Sequence, residues 1–132
     1  MARVLIVANQ TLGGEELLQA VKARMAKGPA EFTLLVPATA RSGDSSADDA
    51  YANAERRLEY GLGELRLLGA QAEGEVGDAD PLEAIREVLD RRQFEEIIVS
   101  TLPAGVSRWL RQDLPHKVER KFPLPVTVVT AG

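Results

Sequence analysis

The sequence contains no cysteine, which removes disulfides, thiolate nucleophiles, zinc ribbons and iron–sulfur ligation together. Histidine is almost as scarce. His116 is the single one, so a multi-histidine metal site cannot form and a Ser-His-Asp triad would have one home only. Aromatic residues make up 5% of the chain, a poor supply for base-stacking platforms or for a surface that grips a flavin ring. A basic surplus is missing as well. Sixteen Lys and Arg face twenty Asp and Glu, for a net charge of −4, the wrong sign for holding nucleic acid by counterion release. No nucleic-acid partner is expected. The apolar run Val4 to Ala8 is too short for a signal peptide or a membrane span, so the cytoplasm is the expected address and no membrane partner is expected.

What remains is the composition of an ordinary globular protein, with 45% hydrophobic and 27% charged residues in 132. That length is expected to form one domain spanning 1–132 with a core of its own. Val4 to Ala8 is a continuous β-branched run, the pattern of a strand buried on both faces of a parallel sheet. After Thr11 and the Gly13-Gly14 turn, Leu17, Leu18, Val21 and Met25 fall on one helical face until Gly28-Pro29 stops them. Phe32 to Val36 reads as a second strand, and Ala38 to Ser46, small and polar, as a mobile loop. From Ala47 to about Leu68, Tyr51, Ala54, Leu58, Leu62, Leu65 and Leu68 step by three or four, giving the longest amphipathic helix. Gly61 and Gly63 interrupt that helix and imply close packing or a bend.

A third extended piece, Ala72 to Val76, leads to Asp80-Pro81-Leu82-Glu83. This tetrapeptide supplies an N-cap, a proline at the first helical position and a capping-box acid. Ile97 to Val99 and Pro125 to Thr130 read as the fourth and fifth strands. Strands alternate with helices throughout, which specifies an α/β sandwich of right-handed parallel crossovers with ligand sites outside the carboxyl ends of the strands.

The run from Ser100 to Leu114, the helix to Phe122 and the closing Leu124-Pro125-Val126-Thr127-Val128-Val129 are the most informative part of the chain. Taken with Val4 to Asn9, Leu34-Leu35-Val36 and Gly77-Asp78-Ala79-Asp80-Pro81, this order resembles the universal stress protein family over nearly the whole length. The resemblance implies a three-layer, flavodoxin-like α/β sandwich. Its five-stranded parallel sheet would have the order 3-2-1-4-5, flanked by about four helices. It also implies a homodimer through the fifth-strand edge, with Val126, Val128 and Val129 at the interface.

Nucleotide-binding members of that family carry a G-x2-G-x9-G-S/T motif after the fourth strand, whose amides and hydroxyl hold phosphates. This chain departs from it. Ser100 stands where the first glycine would be, Pro103 near the second, and Gln112-Asp113 near the final Gly-Ser/Thr. Asp113 is expected to cap the following helix with its own carboxylate, which would occupy the amides a phosphate needs and repel the phosphate itself. The acid expected after the first strand is Asn9, although Thr11 matches the nearby hydroxyl position. The family's adenine contact at the end of the second strand falls at Pro37, which has no N–H to donate.

The residues that would line such a pocket are therefore Ala8, Asn9, Thr11, Val36, Pro37, Ser100, Thr101, Ser107, Arg108, Arg111 and Asp113. Arg108 and Arg111 flank Trp109 and could grip a phosphate in place of the glycines, although a solvated helical face is the favoured account of them. Trp109 reads as a core or interface anchor, His116 as a surface residue, and Asp48-Asp49 and Asp78-Asp80 match no calcium loop. No metal and no catalytic residue is expected. A receiver domain is disfavoured because the first strand ends in Ala8-Asn9-Gln10 and the fifth carries no Lys, and a flavodoxin by the shortage of aromatics.

The sequence thus reads as a non-enzymatic, dimeric stress-response module with its nucleotide motif degraded, no cofactor, and an unidentified protein partner left open. The alternative keeps ATP or AMP binding through a remodelled phosphate loop.

Overall fold

A computed structural model describes residues 1–9, 11, 14–40, 44–102 and 108–131, with backbone only at Arg108 and Arg111. The elements in chain order are β1 (Ala2–Val7), α1 (Glu15–Ala26), β2 (Ala30–Pro37), α2 (Ala47–Leu67), β3 (Gln71–Gly77), α3 (Pro81–Arg91), β4 (Glu96–Thr101), α4 (Arg108–Arg111), α5 (Leu114–Lys121) and β5 (Val126–Thr130). All strand pairs are parallel and the order is β3-β2-β1-β4-β5. The expected sheet is the observed one. Four longer helices cover it, and a single-turn helix, α4, stands before α5.

Alternation along the central strands builds two cores. Val4, Ile6 and Ala8 of the β1 segment meet Phe32, Leu34 and Val36 of β2 beneath Leu17 and Val21 of α1 and Ala54 and Leu65 of α2. Leu5, Val7, Leu35, Ile97 and Val99 point the other way, against Ala84, Ile85 and Val88 of α3 and Leu114 and Val118 of α5. Trp109 is buried in this second core. Arg24 of α1 reaches Glu96 at the start of β4, Nε to Oε2 2.6 Å, and ties the first helix to a strand 72 residues away. Among the described residues no helix is long and apolar enough to cross a membrane.

Local chemistry explains most boundaries. Gly14 is the N-cap of α1 and its N–H donates to the Thr11 carbonyl at 3.1 Å, in keeping with turn chemistry at Gly14, while Gly13 lies outside the described residues. Asp80 caps α3 as expected, Oδ1 accepting from Leu82 N at 3.0 Å. The reciprocal half of the capping box does not form. The Asp80 N–H donates instead to Asp78 Oδ1 at 2.9 Å, and Glu83 turns to Arg86, whose Nε donates to Oε1 at 2.6 Å.

The two helical glycines of α2 separate. Gly61 is buried on the inner face with Ala54 and Leu65, whereas no atom lies within 4 Å of where a Cβ would stand on Gly63, so close packing does not account for Gly63. On β3, a Cβ on Gly74 would stand 2.5 Å from the Leu34 carbonyl oxygen and 2.7 Å from Leu58 Cδ1. There the missing side chain lets α2 lie down on the edge strand.

Of the segment expected to be mobile, residues 41–43 lie outside the described residues, and the flanks are tied down. Ala38 N donates to the Gly77 carbonyl at 3.0 Å, Thr39 Oγ1 to the Ala79 carbonyl at 2.6 Å, and Asn53 Nδ2 to Asp44 Oδ1 at 2.6 Å.

Candidate functional site

The chain leaves β1 towards α1 on one face of the sheet and leaves β4 towards α4 and α5 on the other. Adjacent parallel strands that send their connections to opposite faces leave a crevice at their carboxyl ends, where ligands of such sheets bind. Val7 is paired with both Leu35 and Val99, so one step further Ala8 lies between Val36 and Ser100. Ala8, Val36 and Ser100, from three separate stretches of sequence, therefore lie in one row.

At that row two side-chain hydroxyls are buried against each other. Thr11 and Ser100 are 6% and 2% exposed, and their hydroxyls are hydrogen-bonded, Oγ1 to Oγ 2.6 Å. Thr101 is buried beside them, its Oγ1 3.4 Å from that of Thr130 on β5. A glycine at position 100 would leave backbone exposed to a ligand, and Ser100 fills that space with a hydroxyl already engaged. Asn9, just beyond β1, brings a buried Oδ1 that has no hydrogen-bond partner among the described residues.

The end of β2 offers little to a ligand. Val36 and Pro37 are buried, Pro37 has no N–H, and the next amide, Ala38, is already given to Gly77. Ser107 lies outside the described residues. Arg108 and Arg111 lie on the single turn of α4, and their side chains are likewise outside the description.

Asp113 requires a correction. It stands at the N-cap position of α5, but with φ 58° and ψ 39°, in the left-handed region, and its side chain caps no amide. A residue that caps with its side chain adopts extended backbone angles, and Asp113 does not. Asp113 Oδ1 instead lies 2.8 Å from His116 Nδ1, both side chains being more than half exposed. The pairing of His116 was not legible in the sequence, although a spacing of three within a helix turn permits it.

Among the described residues no three His, Asp or Glu side chains gather as a metal site. A separate cavity, which no motif announced, opens at the opposite, amino-terminal rim of the sheet between Arg3, Glu31, Thr33, Gln71, Arg92 and Phe94.

Comparison with solved structures matches this architecture. A universal stress protein in complex with cAMP superimposes with a TM-score of 0.67 at 18% identity, covering 99% of this chain and 98% of that one. The chain has the universal stress protein fold. A family member from Arabidopsis thaliana with AMP bound gives a TM-score of 0.66 at 12% identity over 100% of this chain and 93% of that one. A universal stress protein from Archaeoglobus fulgidus gives 0.62 at 15% identity over 98% and 93%. No protein-family model matches the sequence, and no curated protein matches it significantly.

Proposed function

We propose that this chain is a regulatory module of the universal stress type. In this reading it has no catalytic activity, works as a homodimer through the free edge of β5, and does not hold ATP on a glycine phosphate loop. The observation that supports this reading is the buried Thr11–Ser100 hydrogen bond at the carboxyl ends of β1 and β4. It occupies, with side chains that satisfy each other, the place where a glycine backbone would meet phosphate oxygens. The module would then act through a protein partner.

A second reading, that ATP or AMP binds through a remodelled phosphate loop carrying Arg108 and Arg111, is favoured by two observations. The buried Asn9 Oδ1 has no donor among the described residues, and two solved structures of the same fold hold cAMP and AMP.

One experiment separates them. Purified protein is extracted with acid and the extract chromatographed for nucleotides, and the extracted protein is then melted with AMP, cAMP or ATP–Mg²⁺ at millimolar concentration. The first reading expects no retained nucleotide and a shift no greater than that of a ligand near its dissociation constant, about 0.4 kcal/mol. Retained nucleotide, or a large shift abolished by Arg108→Ala or Arg111→Ala, supports the second.

A further inference from the structure

The cavity at the amino-terminal rim measures about 210 Å³. Alternation along the strands explains its lining. Leu5 of β1 and Leu35 of β2 face the α3 side of the sheet, so Arg3, Glu31 and Thr33, two or four positions earlier, face the same way. Towards the strand beginnings α3 has already ended at Arg91, and polar side chains take the place of a helix. Phe94, 8% exposed, forms an apolar wall. Glu31 and Val36 are separated by about 16 Å of strand at 3.3 Å per residue, so this cavity is distinct from the crevice at the carboxyl ends.

Four charged groups line it, and they are not equivalent. Arg92 is ion-paired with Glu73. Arg3 and Glu31 are register partners on neighbouring strands, yet among the described residues neither side chain makes an ion pair or a hydrogen bond. The nearby Glu95 carboxylate is engaged by the backbone N–H of Arg3, at 2.6 Å. The rim therefore presents one guanidinium and one carboxylate, side by side, that are not joined in an ion pair.

We infer that this cavity is a ligand site for a small zwitterion, an α-amino acid with a short apolar side chain. The Arg3 guanidinium matches the planar carboxylate of such a ligand with paired donors. The Glu31 carboxylate accepts from its ammonium, and Phe94 meets its side chain. A ligand with a single charge would engage only one of Arg3 and Glu31, which favours a zwitterion over simple anions and simple amines. The volume corresponds to roughly seven waters at about 30 Å³ each, enough for an amino acid of the size of alanine, valine or leucine. Because Arg3 and Glu31 are exposed, screening keeps the affinity in the millimolar range.

The test is an amide chemical-shift titration of the isotopically labelled full chain with L-alanine, L-valine and L-leucine. Isovalerate and isobutylamine serve as the singly charged counterparts of valine. The expected result is a saturable shift centred on Thr33, Ala72 and Phe94 for at least one amino acid. Binding should be weaker by about tenfold or more for both singly charged analogues and in each of Arg3→Gln and Glu31→Gln. Both variants alter exposed side chains, and unchanged spectra elsewhere confirm that they fold. No saturable shift with any of the three amino acids at tens of millimolar overturns the inference. Isovalerate binding as well as valine, or binding that survives both variants, overturns it equally.

Discussion

Asp113 gives its carboxylate to His116, Oδ1 to Nδ1 2.8 Å, while its backbone holds the left-handed conformation that begins α5. The residue is thus selected by a backbone requirement more than by the hydrogen-bonding capacity of a cap. Asp and Asn tolerate that conformation better than other residues with a Cβ, and glycine tolerates it best.

This relationship makes a prediction that separates backbone from cap. Asp113→Gly and Asp113→Asn are expected to leave thermal stability nearly unchanged, whereas Asp113→Ala and Asp113→Ser each cost about 1 kcal/mol. A capping role would instead keep Ser level with Asp, so a fully stable Asp113→Ser in a thermal melt would count against the left-handed backbone as the cause.

The buried Thr11–Ser100 pair is expected to show coupling. Either Thr11→Val or Ser100→Ala leaves one hydroxyl unsatisfied, at about 1–3 kcal/mol. The double variant removes both partners and should cost less than the sum. Urea titration of the four proteins measures the interaction directly, and additive losses would show that the two hydroxyls do not depend on each other.

Two glycines of similar appearance in the sequence are expected to respond with opposite sign. Gly63→Ala should stabilise by about 0.5–1 kcal/mol, because open space surrounds the position and alanine favours helix. Gly74→Ala should destabilise by about 1–3 kcal/mol, because a methyl there meets the backbone of Leu34. Equal responses in denaturation would contradict the packing described for α2 on β3.

The dimer proposal has its own test. Within β5, Val126 and Val129 are half-buried against the two cores, whereas Val128 is 39% exposed on the free edge. An apolar edge with unpaired amides is a surface that proteins normally cover. Val128→Lys should shift sedimentation to the monomer, and a dimer that survives it lies elsewhere on the surface.

The ion pair of Glu83 with Arg86 should be visible in acid. The hydrogen bond from Arg86 holds the Glu83 carboxyl below its usual value. With the folded value depressed, the contribution is present above the unfolded value, near about 4.3, and disappears as pH falls through the folded one. The pair is exposed, so the effect is small and should vanish in high salt. Glu83→Gln should therefore flatten the acid limb of the stability curve at low ionic strength only.

The order of strands and helices was legible because each depends on neighbours in sequence: β-branched runs for β1 and β2, three-or-four spacing for α2, Asp80-Pro81 for the start of α3. The resemblance of the Ser100–Leu114 and Pro125–Val129 segments to a known family supplied the strand order 3-2-1-4-5, which local patterns do not encode. It also brought Ala8, Val36 and Ser100 to one rim.

Tertiary structure decided what the side chains at that rim do. Thr11 finds Ser100 across 89 positions of sequence, and Asp113 leaves its helix end because of a backbone angle that no side-chain pattern announces. The amino-terminal cavity draws on residues 3, 31, 71 and 92, each an unremarkable polar residue at the start of a strand or beyond the end of a helix. Their juxtaposition is a product of sheet register and of where α3 stops, and register exists only once the strands have paired.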